Sequence, residues 1–127
     1  MVAITLTPKI KNLDNLLGHC QKRRYLAKHT IICAGDRSES LFFIIKGSVT
    51  ILIENDEGRE MIVAYLNAGD FFGELGLFDR IGHEVERSAW VRTKTECEVA
   101  EISYSKFREV TQQEPDILYA KIGRAHV

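Results

Sequence analysis

Apolar residues recur along this chain at two periods. Leu13, Leu16, Leu17 and Cys20 stand at i, i+3, i+4 and i+7, which predicts a short helix with Asn12 as its cap. From residue 24 to 103 the text changes to short runs rich in Ile, Val, Phe and Tyr, broken by Gly, Asp and Asn about every ten residues. Strands are predicted over 30–33, 41–46, 48–54, 60–66, 87–93 and 96–102. Asn55, Asp56, Glu57 and Gly58 mark a hairpin turn between two of them, and Ala34-Gly35-Asp36 and Ala68-Gly69-Asp70 give similar turn signals. In the last strand Cys97 and Val99 alternate with Glu96 and Glu98, yet Ala100 and Ile102 carry the apolar phase on the other parity. A bulge near Val99 would reconcile the two halves. Ser103 then reads as a cap for a helix carrying Tyr104, Phe107 and Val110, and Glu114-Pro115-Asp116 opens another. The pattern implies a mainly β jelly roll flanked by short α-helices.

Composition narrows the class. At 127 residues with 45% apolar side chains, the chain suits one domain with its own core. Seventeen Lys and Arg oppose eighteen Asp and Glu, interspersed rather than blocked, so no wholesale affinity for nucleic acid follows. The first eleven residues lack the long apolar core of a secretory signal, and apolar runs such as 61–66 fall far short of the roughly 18 residues of a membrane span. A cytoplasmic protein without a membrane partner is expected. Cys20, Cys33 and Cys97 are odd in number and form no CxxC pair, so they read as small buried apolar groups.

The chemistry concentrates between Asp70 and Arg92. Phe72-Gly73-Glu74-Leu75-Gly76 sets two glycines around an acid after a strand signal, which suits a tight turn whose backbone amides are free to meet an anion. Farther on, Glu86-Arg87-Ser88-Ala89-Trp90 opens a strand with a guanidinium beside a hydroxyl, a pairing suited to phosphate. Alone, the first piece reads as an ordinary turn and the second as a solvated strand edge; together, in an all-β text, they are specific.

At these residues the sequence resembles the cyclic nucleotide-binding domain, and in particular the sensor half of the bacterial cAMP receptor protein (catabolite activator) family. The resemblance rests on Gly69-Asp70-Phe71-Phe72-Gly73-Glu74-Leu75-Gly76-Leu77-Phe78 and on Glu86-Arg87-Ser88-Ala89-Trp90-Val91-Arg92. Phe43-Ile44-Ile45-Lys46-Gly47-Ser48-Val49 and Glu98-Val99-Ala100-Glu101-Ile102-Ser103-Tyr104 flank them. It implies an eight-stranded jelly roll that holds cAMP as a ligand, with Arg87 pairing the ring phosphate. Ser88 and the backbone amides near Glu74 and Leu75 would complete the phosphate's hydrogen bonds. Glu74 would accept one from the ribose 2′-hydroxyl, and Gly73 would let the backbone approach the sugar. Ala89, Val63 and Ile51 are expected in the apolar wall. A carboxylate at roughly 6 Å from the phosphate repels it by about 3 kcal/mol at an effective dielectric near 20, which the nearer Arg87 offsets.

The resemblance also implies a full-length parent that is a homodimer, binds DNA and works with RNA polymerase. Its long helix after Pro115 forms the dimer seam and recognises adenine, and cAMP acts allosterically through it. Here residues 1–120 read as the sensor domain, whereas 121–127 interrupt any apolar heptad with Gly123 and read as the translation of a sequencing adapter. Weak cAMP affinity, poor discrimination against cGMP and impaired dimerisation are expected of such a fragment. The rival readings are a cupin-like metal-binding protein or enzyme, a haem or iron-sulfur sensor, and a nucleotide module of a kinase or channel. His19, His29, His83 and His126 are scattered and no HxH occurs, against the first; unclustered cysteines stand against the second, and the Glu-Arg-Ser-Ala-Trp wording against the third. No nucleophile elbow with Ser, His and Asp partners is present, so catalysis is not expected, and Glu84 and Glu86 read as solvent-facing. Trp90 and Phe107 read as core.

Overall fold

The computed structural model describes residues 13–74 and 87–113. In chain order it contains α1 (Leu13–Gly18), β1 (Gln21–Tyr25), β2 (Thr30–Ile32), β3 (Ser40–Lys46), β4 (Ser48–Glu54), β5 (Glu60–Asn67), β6 (Phe71–Phe72), β7 (Trp90–Thr93), β8 (Cys97–Ser103) and α2 (Tyr104–Gln113). All pairings are antiparallel and nested: β1 with β8, β2 with β7, β3 with β6, and β4 with β5. The chain is thus one long hairpin with its tip between β4 and β5. Curling it adds the lateral pairs β3–β8 and β4–β7 and closes two four-stranded sheets, β1-β8-β3-β6 and β2-β7-β4-β5. This is the expected eight-stranded jelly roll.

In the first sheet, strands β3, β6 and β8 are covered on both faces. One face packs Leu41, Phe43, Phe71, Ala100 and Ile102 against Leu16 of α1 and Tyr104, Phe107 and Val110 of α2. The other packs Phe42, Ile44, Phe72, Cys97 and Val99 against Ile32, Val49, Ile51, Ala64, Leu66 and Val91 of the second sheet and against Ala89, just before β7. The expected bulge does fall beside Val99, between its pairing with Ile44 and that of Glu98 with Lys46, but β8 is not the strand that carries it. Strand β8 runs regularly against β1 from Gln21–Glu101 to Tyr25–Cys97, and the parity change arises because Val99 fills the core between the sheets while Ala100 fills the one under the helices. The irregularity lies instead on β3, where Ile45 is the extra residue between Ile44 and Lys46. A second interrupts β5 at Val63, between Ala64 and Ile62.

Other expectations hold with adjusted ends. Ser103 Oγ accepts from the Lys106 amide at 3.1 Å and so caps α2. Asn55 Oδ1 accepts from the amides of Glu57 and Arg59, 2.9 Å each, and closes the β4–β5 turn. Strand β1 leaves no apolar signal in the sequence because its side chains, Gln-Lys-Arg-Arg-Tyr, are exposed except for half-buried Tyr25; charge on an edge strand is what keeps such an edge from pairing with other chains. Cys33 is exposed, against expectation, because β2 ends at Ile32. Cys97 is buried, and burial raises the half-buried Cys20 thiol to about 11, so it stays protonated. Phe107 is core, whereas Trp90 is half-buried on the outer face of its sheet. Asn12, Leu75, the helix at Glu114-Pro115-Asp116, Glu84, Glu86 and the 121–127 tail lie outside the described residues.

The turn from β3 to β4 is a single residue, Gly47, at φ +93°. A Cβ there would fall on Glu96 O and lie 2.8 Å from Cys97 Sγ and 2.9 Å from Thr95 Oγ1. Gly47→Ala is therefore expected to destabilise the fold by about 2 kcal/mol or more, from left-handed backbone strain plus steric displacement. Urea unfolding checks this, and a change within about 0.5 kcal/mol, the size of a neutral surface substitution, contradicts it.

Candidate functional site

Period two places Arg87, Ala89, Val91 and Thr93 on one side of the chain, and the last three are buried. Arg87 shares their direction but not the ladder, since β7 begins only at Trp90. Its backbone pairs instead with the turn before β3: Arg87 N donates to Asp36 O at 2.6 Å and Gly35 N donates to Arg87 O at 2.8 Å. The side chain is thereby aimed at the end of the first sheet. Its Nη2 donates to Ser40 O at 2.7 Å, its Nη1 donates to Gly73 O at 2.9 Å, and the guanidinium lies 5.7 Å from the centroid of the Phe42 ring.

Strand β6 delivers the other half. Its two residues, Phe71 and Phe72, pair with Phe43 and Phe42 and send one ring into each core. The chain then turns at Gly73, whose φ of +84° suits glycine. A Cβ at 73 would sit 2.8 Å from Arg87 Nη1, 3.0 Å from Phe42 Cδ2 and 3.1 Å from Ser40 O. Besides the expected room for a sugar, this glycine thus has a second reason within the protein: the guanidinium and its neighbours fill the space a Cβ would need.

Glu74 follows at 5% exposure, and its Oε1 is buried with no hydrogen-bond partner. Burial pushes its carboxyl up to about 7, against a smaller pull downward from its own backbone amide and from the Arg87 charge. Among the described residues the Arg87 guanidinium makes no ion pair. The bend therefore joins a half-buried cation whose partners are two carbonyls, the Tyr104 hydroxyl and the Phe42 ring to a buried carboxyl whose Oε1 accepts no hydrogen bond. Uncompensated polar groups of this kind are rare and costly, and a ligand carrying both an anion and a hydroxyl would satisfy both.

The remaining candidates divide. Ile51 and Ala89 are buried in the core between the sheets, and Val63 packs against it from its irregularity on β5. Ser88, on the opposite parity to Arg87, is exposed and makes no hydrogen bond among the described residues. Leu75 and the amides beyond it lie outside the described residues. The sequence reading missed Tyr104, whose hydroxyl donates to Gly73 O, and Ser38, 2.5 Å from that hydroxyl. A Tyr at a buried helical position was the available signal, because its hydroxyl needs a partner that Phe would not. Among the described residues no three His, Cys, Asp or Glu side chains converge to hold a metal ion. A groove of about 470 Å³ lined by Lys28, Leu52, Ile62, Arg92 and Lys94 lies on the second sheet, away from this bend.

The Glu74 shift has a consequence for stability. The carboxyl binds its proton more tightly in the folded chain than at its ordinary value of 4.5, so the fold loses stability as pH rises from about 4.5 and the loss is complete above about 7. The size is about 3 kcal/mol. Glu74→Gln is expected to gain stability over the parent by that order between pH 4.5 and 8, read by urea unfolding across pH. Parallel profiles for the two proteins contradict it.

The model of the cyclic nucleotide-binding domain matches residues 22–114. The cAMP-activated global transcriptional regulator Vfr of Pseudomonas aeruginosa is 75% identical over 119 residues, 94% of this chain and 56% of that protein. The cAMP-activated global transcriptional regulator CRP of Salmonella typhimurium is 57% identical over 106 residues, 84% of this chain and 49% of that one. The chain thus spans about half the length of these curated relatives. Among solved structures, the c-di-GMP responsive global regulator CLP of Xanthomonas campestris superposes with a TM-score of 0.75 at 37% identity, over 85% of this chain and 53% of that one. The catabolite activator protein of Thermus thermophilus gives 0.76 at 26% identity, over 85% and 49%. With a matching family model over most of its length and a nested jelly roll carrying the Gly73-Glu74 bend against Arg87, the chain belongs to the cyclic nucleotide-binding domain family.

Proposed function

We propose that the chain is a cAMP-sensing module and that the Arg87–Gly73–Glu74 bend is its ligand site. The observation that carries this reading is the meeting at Gly73 of a guanidinium with no ion pair among the described residues and a buried carboxyl whose Oε1 accepts no hydrogen bond. A cyclic nucleotide presents the two missing groups close together: a singly charged phosphate and a ribose 2′-hydroxyl. Arg87 keeps donors beyond those given to Ser40 O and Gly73 O, and these bind the phosphate together with Ser88 and the backbone amides at Glu74 and Leu75. Glu74 accepts from the 2′-hydroxyl and so selects ribose over deoxyribose. Ile51, Val63 and Ala89 supply the apolar wall, and Gly73 seats the bend against the guanidinium.

The cAMP-activated relatives support cAMP as the ligand. That these relatives are global transcriptional regulators also supports a role in transcription regulation; in this reading residues 1–120 are the sensor unit, and a dimeric, cytoplasmic parent carries the signal to DNA and RNA polymerase. The work of the module is binding, not catalysis. In the described residues no helix is long and apolar enough to cross a membrane.

Calorimetry tests the assignment with cAMP, and with cyclic di-GMP as a competing ligand because one structural relative responds to it. The chain is expected to bind cAMP in preference. Arg87→Leu is expected to abolish measurable binding, and Glu74→Ala to weaken it by about 1 to 3 kcal/mol, the scale of a lost hydrogen bond to a charged group. Unchanged affinity in Arg87→Leu, or preference for cyclic di-GMP, contradicts the reading.

A further inference from the structure

We propose that Tyr104 is a positioning residue for the nucleotide site, holding the acidic bend in register with the phosphate-binding guanidinium through its hydroxyl. This rests on the cAMP reading above. Tyr104 is the first residue of α2, 6% exposed, with its ring packed among Leu16, Phe71 and Phe107 under the first sheet. Its hydroxyl reaches past that core to Gly73.

The hydrogen-bond inventory fixes the direction of each bond. A tyrosine hydroxyl has one proton, and that proton goes to Gly73 O. Ser38 Oγ, 2.5 Å away, therefore donates to Tyr104 Oη, and Arg87 Nη1 approaches the same oxygen at 3.5 Å. Gly73 O in turn accepts from both Tyr104 Oη and Arg87 Nη1, which uses both of its lone pairs. Ser38 and Tyr104 are both buried, so neither hydroxyl has bulk water as an alternative partner.

The geometry of the peptide unit carries this into the site. Gly73 C=O and Glu74 N–H belong to one planar trans peptide and point in opposite directions. Fixing the oxygen therefore fixes where the Glu74 amide points and where its carboxyl stem begins. Arg87 cannot do this alone, because its guanidinium must also serve the phosphate. The tyrosine holds the bend from the far side, and its own amide donates to Glu39 O at 2.9 Å, pinning the segment that carries Ser38 and the Ser40 carbonyl.

The test compares cAMP with 2′-deoxy-cAMP by calorimetry on the unsubstituted chain, on Tyr104→Phe and on Ser38→Ala. Tyr104→Phe keeps the ring in the core and removes the hydroxyl. It is expected to weaken cAMP binding about tenfold, the equivalent of one lost hydrogen bond, and to narrow the preference of the chain for ribose over deoxyribose. Ser38→Ala is expected to act in the same direction by about threefold, since it loosens the hydroxyl without removing it. A purely structural role would lower both affinities together and leave their ratio unchanged. Unchanged cAMP affinity, or an unchanged ratio, in Tyr104→Phe overturns the proposal, and if that variant does not fold, Ser38→Ala decides by the same two readings. Failure of the unsubstituted chain to bind either nucleotide overturns the cAMP reading and this proposal together, whereas binding by it with unaltered variants overturns the proposal alone.

Discussion

The Arg87 guanidinium fills the space that a side chain at position 73 would need, and the rest of the site follows from that exclusion. Because residue 73 has no Cβ, its carbonyl can meet Nη1 and the backbone can turn through positive φ directly after β6. The residue after the turn is then forced inward, so a carboxyl is buried beside a cation without touching it. Desolvation outweighs the attraction of Arg87, which is why the Glu74 carboxyl sits near neutrality rather than well below it. The fold bears this strain at the one place where a ligand hydroxyl and a ligand anion would relieve it, a common arrangement at binding sites.

The nested hairpin is what brings the two halves together. Positions 73 and 87 are joined in sequence by a segment outside the described residues, but in the fold both close on the same end of β3, at Ser40 and Phe42. That strand is held on both faces, by the helices on one side and by the second sheet on the other. A platform packed on two sides resists the small displacements that would spoil an anion site, as close-packed interiors do.

Much of this architecture was legible in the sequence, because buried strands write their pattern in apolar residues. The runs at β3, β4 and β5 were read within two residues of their ends, and the cap at Ser103 was read outright. What escaped had no such pattern. Strand β1 is polar, β6 is two residues long, and β8 serves two cores, so its apolar residues break the alternation of a strand with one buried face. At the site, Gly73, Glu74 and Arg87 were recognisable as a constellation by residue type. The contributions of Tyr104, Ser38 and the Ser40 carbonyl were not, because they depend on how far a buried hydroxyl reaches across the fold.

A crystal structure of the chain grown with cAMP bears most directly on the pairing of Arg87 and Glu74 around one nucleotide. The expected result is density for the cyclic phosphate within hydrogen-bond distance of the Arg87 guanidinium, with the ribose 2′-hydroxyl on Glu74 and the nucleotide against Ile51, Val63 and Ala89. A nucleotide bound elsewhere, or a phosphate held at this bend by groups other than Arg87, contradicts it.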